Sequence, residues 1–458
     1  MIKTIYIHIG GHKTGSTFIQ ESLGKIRDVL LVRGFLYPLF EIDGTLVNNH
    51  SVPFYSIFCK NPELYRPNVL RGYDTPDKVR KLNENHKKQL SQQLEKFDGE
   101  TLIISGEDIS TLDQEGIQNL KEYLFSITNG DAAIKIIFFC RHPITYARSH
   151  IQEVVKGGQI LEQEMENYAS FARSHYQTRL GNFLSVFSHD DISVIKYEDA
   201  ISHTNGLLGA FLSVVGMDPS LAKGMIRTRR NESLSYESIL LANAINRNLP
   251  MFVNNVPNPL RSGYNHDLMR ISGKKFTLDS DFNQAIWATC SDDIAWLCKN
   301  FRLPEYKFSE HNVTWNDLWN IRVLEQLNYF LYRMPIAVRD IILSQISADI
   351  ERYGFFFSQS KIAHIEKFLS YYRVNKLCNI RFANIISHIK IFGATSTYDF
   401  YRQKLSRGVL KIFTRIGNLF SDIKVFGVSL TFRNYKQKAL RELARILMLL
   451  NKSYKHKI

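Results

Sequence analysis

Apolar residues recur at two periods along this chain, and the switch between them marks out its elements. Residues 3–9 (Lys-Thr-Ile-Tyr-Ile-His-Ile) are β-branched and aromatic and stop at Gly10-Gly11, which predicts a strand running into a turn. From Ser16 onward Phe18, Ile19, Leu23 and Ile26 return at helical spacing, so the turn opens a helix. Short apolar runs at 101–105 (TLIIS), 134–140 (IKIIFFC) and 192–197 (ISVIKY) predict further buried strands, separated by segments of helical length. Strands apolar on both faces and alternating with helices predict an α/β fold, a parallel sheet covered by helices on both faces, over about residues 1–235. Past Asn231 the pattern turns to long helical stretches, among them 317–332, 337–352 and 436–450. Two regions are therefore expected, an α/β domain over 1–310 and a mostly helical, C-terminally basic region over 311–458.

Composition narrows the class. With 458 residues, 44% of them hydrophobic, the chain can bury a sizeable core, and no repeat or low-complexity tract interrupts it. The five cysteines are scattered and form no CxxC pair, so neither a zinc nor a redox centre is expected and a reducing compartment fits. No stretch reaches the ~18 to 20 apolar residues of a membrane span, so a cytoplasmic chain without a transmembrane anchor is expected. The net charge of +14 is concentrated in residues 401–458, where 14 Lys or Arg face two Asp or Glu. Within 436–450, Leu440, Leu443, Ala444 and Leu447 share one helical face while Lys438, Arg441 and Arg445 lie elsewhere on the surface. Such a helix either rests on an anionic membrane, placing the chain peripherally at the inner membrane face, or packs on a core with a solvated basic face. With no zinc-finger, recognition-helix or RNA-binding aromatic motif, nucleic acid is not an expected partner.

The candidate chemistry begins at Gly10-Gly11-His12-Lys13-Thr14-Gly15-Ser16-Thr17. A glycine loop between a strand and a helix presents backbone N–H groups and the positive end of the helix dipole to an anion. Gly10 and Gly15 keep the spacing of the nucleotide-triphosphate loop and Thr17 keeps its hydroxyl, but Ser16 stands where that loop has lysine, and the cation sits inside the loop at Lys13. A triphosphate-cleaving loop needs that lysine and an acid-held magnesium, so the pattern argues against a kinase or NTPase. A second anion motif follows the strand at 134–140: Arg141-His142-Pro143 opens a helix, and Ser149 comes eight residues after Arg141. The two side chains can converge on one phosphate, arginine offering a planar fork.

Lys13-Thr14-Gly15-Ser16-Thr17 after a short N-terminal strand resembles the 5′-phosphosulfate loop of the sulfotransferases that use 3′-phosphoadenosine 5′-phosphosulfate (PAPS), in particular bacterial carbohydrate and glycan sulfotransferases. Arg141 and Ser149 resemble that family's 3′-phosphate motif. Lys196-Tyr197-Glu198-Asp199 is similar to a segment whose tyrosine approaches the adenine, and Arg227, Arg229 and Arg230 before Asn231-Glu232-Ser233-Leu234-Ser235 are similar to a segment of bacterial members. The resemblance spans about residues 1–305. It implies PAPS as the donor, no metal, and a donor site built from Gly11, His12, Lys13, Thr14, Gly15, Ser16, Thr17, Arg141, Ser149 and Tyr197. Lys13 is then the residue that stabilises charge on the leaving phosphate.

Sulfuryl transfer also needs a group to take the acceptor's proton. Glu107, just past the strand at 101–105, is the first candidate, and His50, in Asn48-Asn49-His50-Ser51 after Tyr37-Pro38, is the second. The acceptor is expected to be a carbohydrate, a glycolipid or a small molecule bearing a hydroxyl or amine. Two alternatives stay open: a P-loop kinase or NTPase, and a non-catalytic anion-binding protein that docks on membranes.

Overall fold

Strands form where the apolar runs lie: β1 (Thr4–His8), β2 (Phe35–Leu36), the β3 (Phe40–Ile42) and β4 (Thr45–Val47) hairpin, β5 (Thr101–Ser105), β6 (Ala133–Cys140) and β7 (Ile192–Lys196). The structure is a computed structural model, and it describes residues 1–372 except 129, 172–174, 226–232, 254–255, 262–267, 309–314 and 332. Among the described residues β2, β5, β1, β6 and β7 pair in that order into a five-stranded, all-parallel sheet, with Ile7 of β1 opposite Ile104 on one side and Ile136 on the other.

Period-2 alternation divides this sheet between two cores. Ile5, Ile7, Leu102, Ile104, Ile134, Ile136 and Phe138 face one layer, and Ile103, Ile137 and Phe139 face the other. Helices α1 (Ser16–Lys25) and α2 (Arg27–Val32) cover the second face, and α3 (Ser51–Phe58) the first; α4 (Arg66–Val69), α5 (Pro76–Glu95) and α6 (Gln114–Ser126) lie between β4 and β6 in the chain, with Leu90 of α5 and Ile117, Leu120 and Leu124 of α6 filling the first core. Beyond β6 come α7 (Pro143–Lys156), α8 (Leu161–Phe171), α9 (Tyr176–Leu184), which joins the first core, α10 (Tyr197–Ser202) and α11 (Gly206–Val214), which complete the second, and α12 (Tyr236–Asn248). The expected α/β fold with helices on both faces is what the chain adopts. β2 was not anticipated: two residues are too short a run to show a period.

A third core joins α7 and α12 to the helix Ser280–Asn300 through Ile144, Ile151, Val155, Ile239, Ile286 and Ile294. After the short β8 (Phe252–Val253) and β9 (Val256–Pro257) hairpin the described chain is helical, with Ile321–Leu331 and Ile336–Tyr353 close to the expected 317–332 and 337–352. Met1–Ser370 make one compact unit and Tyr371–Ile458 a second. The basic segment 401–458, the helix expected at 436–450 and Arg227, Arg229 and Arg230 lie outside the described residues.

Candidate functional site

The glycine loop leaves the carboxyl end of β1, the strand at which the sheet's connections change direction, where open α/β sheets bind ligands. Its path needs positive φ at Gly10 (+50°) and Gly15 (+83°) and also at Lys13 (63°). Gly10 has a packing reason too: a methyl there would lie 2.7 Å from Ser16 Oγ and 3.2 Å from Glu107 Cβ. The Thr14 hydroxyl closes the turn by donating to the Gly11 carbonyl at 2.5 Å. Gly15 caps α1 without any side-chain cap, and among the described residues nothing accepts from the amides of Ser16 and Thr17. The Ser16 hydroxyl, 2% exposed, is likewise buried without a hydrogen-bond partner. An uncapped helix start with a buried unpaired hydroxyl is a donor set that an anionic oxygen would satisfy. Lys13 Nζ lies 3.8 Å from Glu153 Oε2 on α7, within reach of the loop's mouth.

Arg141 follows β6 directly, one strand away. Its Nη1 donates to the Lys13 carbonyl and its Nε to Thr145 Oγ1 at 3.0 Å, and the guanidinium stacks 4.8 Å from the centre of the Tyr197 ring. The backbone on either side is pinned by Tyr176, whose hydroxyl donates to the Arg141 carbonyl at 2.8 Å and accepts from the Arg141 amide at 3.0 Å. Loop, Arg141 and Tyr197 are thus brought together. Ser149 lies half-buried two turns into α7, with no side-chain hydrogen bond among the described residues. His142, expected to belong to the anion motif, instead caps α7, its Nδ1 accepting from the Ile144 amide at 3.3 Å, and stacks on Trp287.

The two candidate bases differ sharply. Glu107 faces the loop, with Oε1 3.7 Å from His12 Nδ1. Burial pushes its carboxyl up, but His12, Lys13 and the nearby Ser16 hydroxyl, which sits outside hydrogen-bond geometry, outweigh burial and hold it below the usual range, so it is ionised at neutral pH. His50 is 0% exposed. Its Nε2–H donates to the Pro38 carbonyl at 2.7 Å, its Nδ1 accepts from the Ser105 amide at 2.9 Å, and burial lowers its pKa to about 4. A histidine with both nitrogens committed inside the core has no lone pair to offer a substrate. What it does is hold the end of β5: the His50 amide donates to the Ser105 carbonyl at 2.9 Å, and Gly106 packs so closely that a methyl on it would lie 2.5 Å from the Ser51 nitrogen. Glu107 is aimed at the loop from this clasp.

Sequence reasoning missed Asp108 and Tyr65. Asp108 Oδ1 lies 3.8 Å from His12 Nε2, and Oδ2 accepts from the Tyr65 hydroxyl at 2.5 Å. Burial pushes the Asp108 carboxyl up, Tyr65 and His12 oppose it, Glu107 adds to it, and the net shift is upward, opposite to its neighbour's. Adjacency to Glu107 was the only available signal for Asp108; Tyr65 had none. Ligand atoms of His12, Glu107 and Asp108 lie within 4.8 Å of one another, close enough for all three to reach one cation.

No family model matches the sequence, and no curated protein matches it. Solved structures similar to this chain include a sulfotransferase from Alicyclobacillus acidocaldarius, 11% identical, with a TM-score of 0.35 over 66% of this chain and 98% of that one. A sulfotransferase domain from the curacin biosynthetic pathway is 14% identical, with a TM-score of 0.29 over 63% of this chain and 97% of its own. Retinol dehydratase, solved with androsterone and the inactive cofactor PAP, is 11% identical, with a TM-score of 0.27 over 67% of this chain and 82% of its own. Likeness at this level carries no weight for the chemistry, which stands on the site itself.

Proposed function

We propose that this chain is a sulfotransferase that moves a sulfuryl group from PAPS to a hydroxyl-bearing acceptor of the carbohydrate or glycan-lipid class. The observation that carries the reading is Arg141, a separately anchored cation one strand away from an uncapped phosphate loop whose lysine is Lys13. A nucleotide with anions on both its 3′ and 5′ sides uses both positions, whereas a triphosphate leaves the second idle. The buried, unpaired Ser16 hydroxyl fits the same ligand, since a phosphate oxygen gives it the partner it lacks.

On this reading the amides of 11–17 with the Ser16 and Thr17 hydroxyls hold the 5′ side, Arg141 and Ser149 the 3′-phosphate, and Tyr197 flanks the base. PAPS supplies an activated sulfuryl group on a good leaving phosphate. Lys13 balances the charge that builds on the leaving side, after exchanging Glu153 for the ligand. Glu107, ionised and facing the loop, takes the proton of the acceptor hydroxyl, and His12 between Glu107 and Asp108 steadies the resulting charges. His50 is assigned a positioning role.

Calorimetric titration with 3′,5′-adenosine bisphosphate, AMP and magnesium-free ATP tests this. Selective binding of the bisphosphate, lost in Lys13→Ala, is the expected result; preference for ATP or no binding overturns it. One observation favours a second reading: the His12, Glu107 and Asp108 cluster can hold a divalent cation, which a P-loop NTPase requires. Magnesium-dependent ATP hydrolysis abolished by Asp108→Asn supports that reading in place of the first.

A further inference from the structure

A cavity of about 370 Å³ opens beside the site, at the small end of pockets that take small molecules. Its walls come from the end of α3, the segment after it up to Arg66, and residues 111–113 at the end of the short helix Glu107–Thr111. Tyr55 and Tyr65 line it with ring centres 4.7 Å apart and planes tilted by 52°. Lys60 and Arg66 stand exposed on its rim, and neither is in an ion pair among the described residues. Asp113 is the one carboxylate in the lining, and its Oδ1 is committed to capping α6, accepting from the Gly116 amide at 2.9 Å.

The cavity is linked to the glycine loop through side chains. Tyr65 forms its wall and donates to Asp108, whose other oxygen lies 3.8 Å from His12 of the loop. Asp108 and His12 are the two side chains between a ligand lying on Tyr65 and Glu107 at the loop.

We propose that this cavity holds the acceptor, and that the acceptor is an anionic saccharide whose carboxylate is received by Lys60 and Arg66; the inference rests on the sulfotransferase reading. Two tilted tyrosine faces suit the flat C–H faces of sugar rings. Asn61, exposed in the same lining, can hydrogen-bond the hydroxyls of a pyranose. The two unpaired cations supply the remaining discrimination, because an acid group placed between them gains a charge-assisted contact that a neutral sugar lacks. In the reaction the acceptor oxygen gains the bond to sulfur as the bond from sulfur to the leaving phosphate breaks, and the hydroxyl proton passes to Glu107.

The test is calorimetry on the full chain with a tetrasaccharide of alternating glucuronic acid and N-acetylglucosamine against neutral chitotetraose, with and without 3′,5′-adenosine bisphosphate. The uronate probe is expected to bind at least tenfold more tightly than the neutral one, and the Lys60→Ala, Arg66→Ala double variant to erase that preference while leaving bisphosphate affinity unchanged. Both side chains are exposed, so the variant should fold. Failure of the uronate probe to bind, equal affinity for the two probes, or a preference that survives the double variant overturns the inference. Failure of the bisphosphate to bind the unaltered chain strikes instead at the sulfotransferase reading, so the two failures are distinguishable.

Discussion

Replacing Arg141 by alanine separates the two things this side chain does. Its Nη1 fastens the Lys13 carbonyl, a bond that on the proposed reading shapes the loop for any 5′-anion, and the N–H groups it keeps beyond Lys13 and Thr145 are those the same reading offers to a 3′-phosphate. Loss of the loop contact removes about 0.5–1.5 kcal/mol, felt equally by AMP and by 3′,5′-adenosine bisphosphate. Loss of a charge-assisted contact to the 3′-phosphate removes a further ~1.5–3 kcal/mol, felt by the bisphosphate alone. At about 1.4 kcal/mol per tenfold, the ratio of bisphosphate to AMP affinity should fall about 10- to 150-fold in Arg141→Ala. Both dissociation constants come from one set of titrations at fixed salt, and Arg141→Lys, which keeps the charge and loses the fork, should fall between. If both ligands weaken by the same factor, Arg141 serves only to fasten the loop and the second anion site is wrong.

Glu107→Gln should lower kcat by about 10²- to 10⁴-fold with bisphosphate affinity little changed, and steady-state kinetics with normal turnover would remove Glu107 from the mechanism. Gly106→Ala brings a methyl within 2.5 Å of the Ser51 nitrogen and 2.8 Å of the His50 carbonyl carbon, so urea unfolding should show a loss of about 1–3 kcal/mol; an unmoved midpoint would mean that the clasp is loose. Stability should also fall as pH drops from about 6.5 towards 4. Burial holds His8, His50 and His86 at about 4, below the unfolded value of 6.5, so the unfolded chain binds more protons in that window and each histidine removes roughly 3 kcal/mol by its lower end. Asp349, raised by burial from 3.8 to about 7, acts in the opposite sense but is one group against three. A urea midpoint unchanged between pH 7 and pH 5 would contradict this sum.

The sheet was legible because four of its strands are apolar runs bounded by turn residues, and the loop because glycine, lysine and hydroxyl positions there are fixed by backbone geometry. His50 was misread as a candidate base for a physical reason: a polar loop sequence, Asn48-Asn49-His50-Ser51, says nothing about the Tyr37, Phe40 and Phe54 rings that close over it. Only the fold reveals that its nitrogens are spent on Pro38 and Ser105. Tyr65 was invisible for the converse reason, since its bond to Asp108 joins residues 43 apart through a segment with no period of its own. Local pattern thus located the groups proposed to hold a phosphate and missed those that depend on long-range packing.

Lys13 and Arg141 hang from neighbouring strands, and the Ile9 amide, donating to the Ile137 carbonyl at 3.0 Å, locks those strands in register just below the loop. The sheet therefore fixes the strand ends from which the loop and Arg141 depart, about 4.8 Å apart. That register cannot be reset by small steps, because a one-residue slip would turn both apolar faces inside out. On the proposed reading, change towards new acceptors falls to the side built from α3 and the turn that follows it, where side chains can change without moving the sheet.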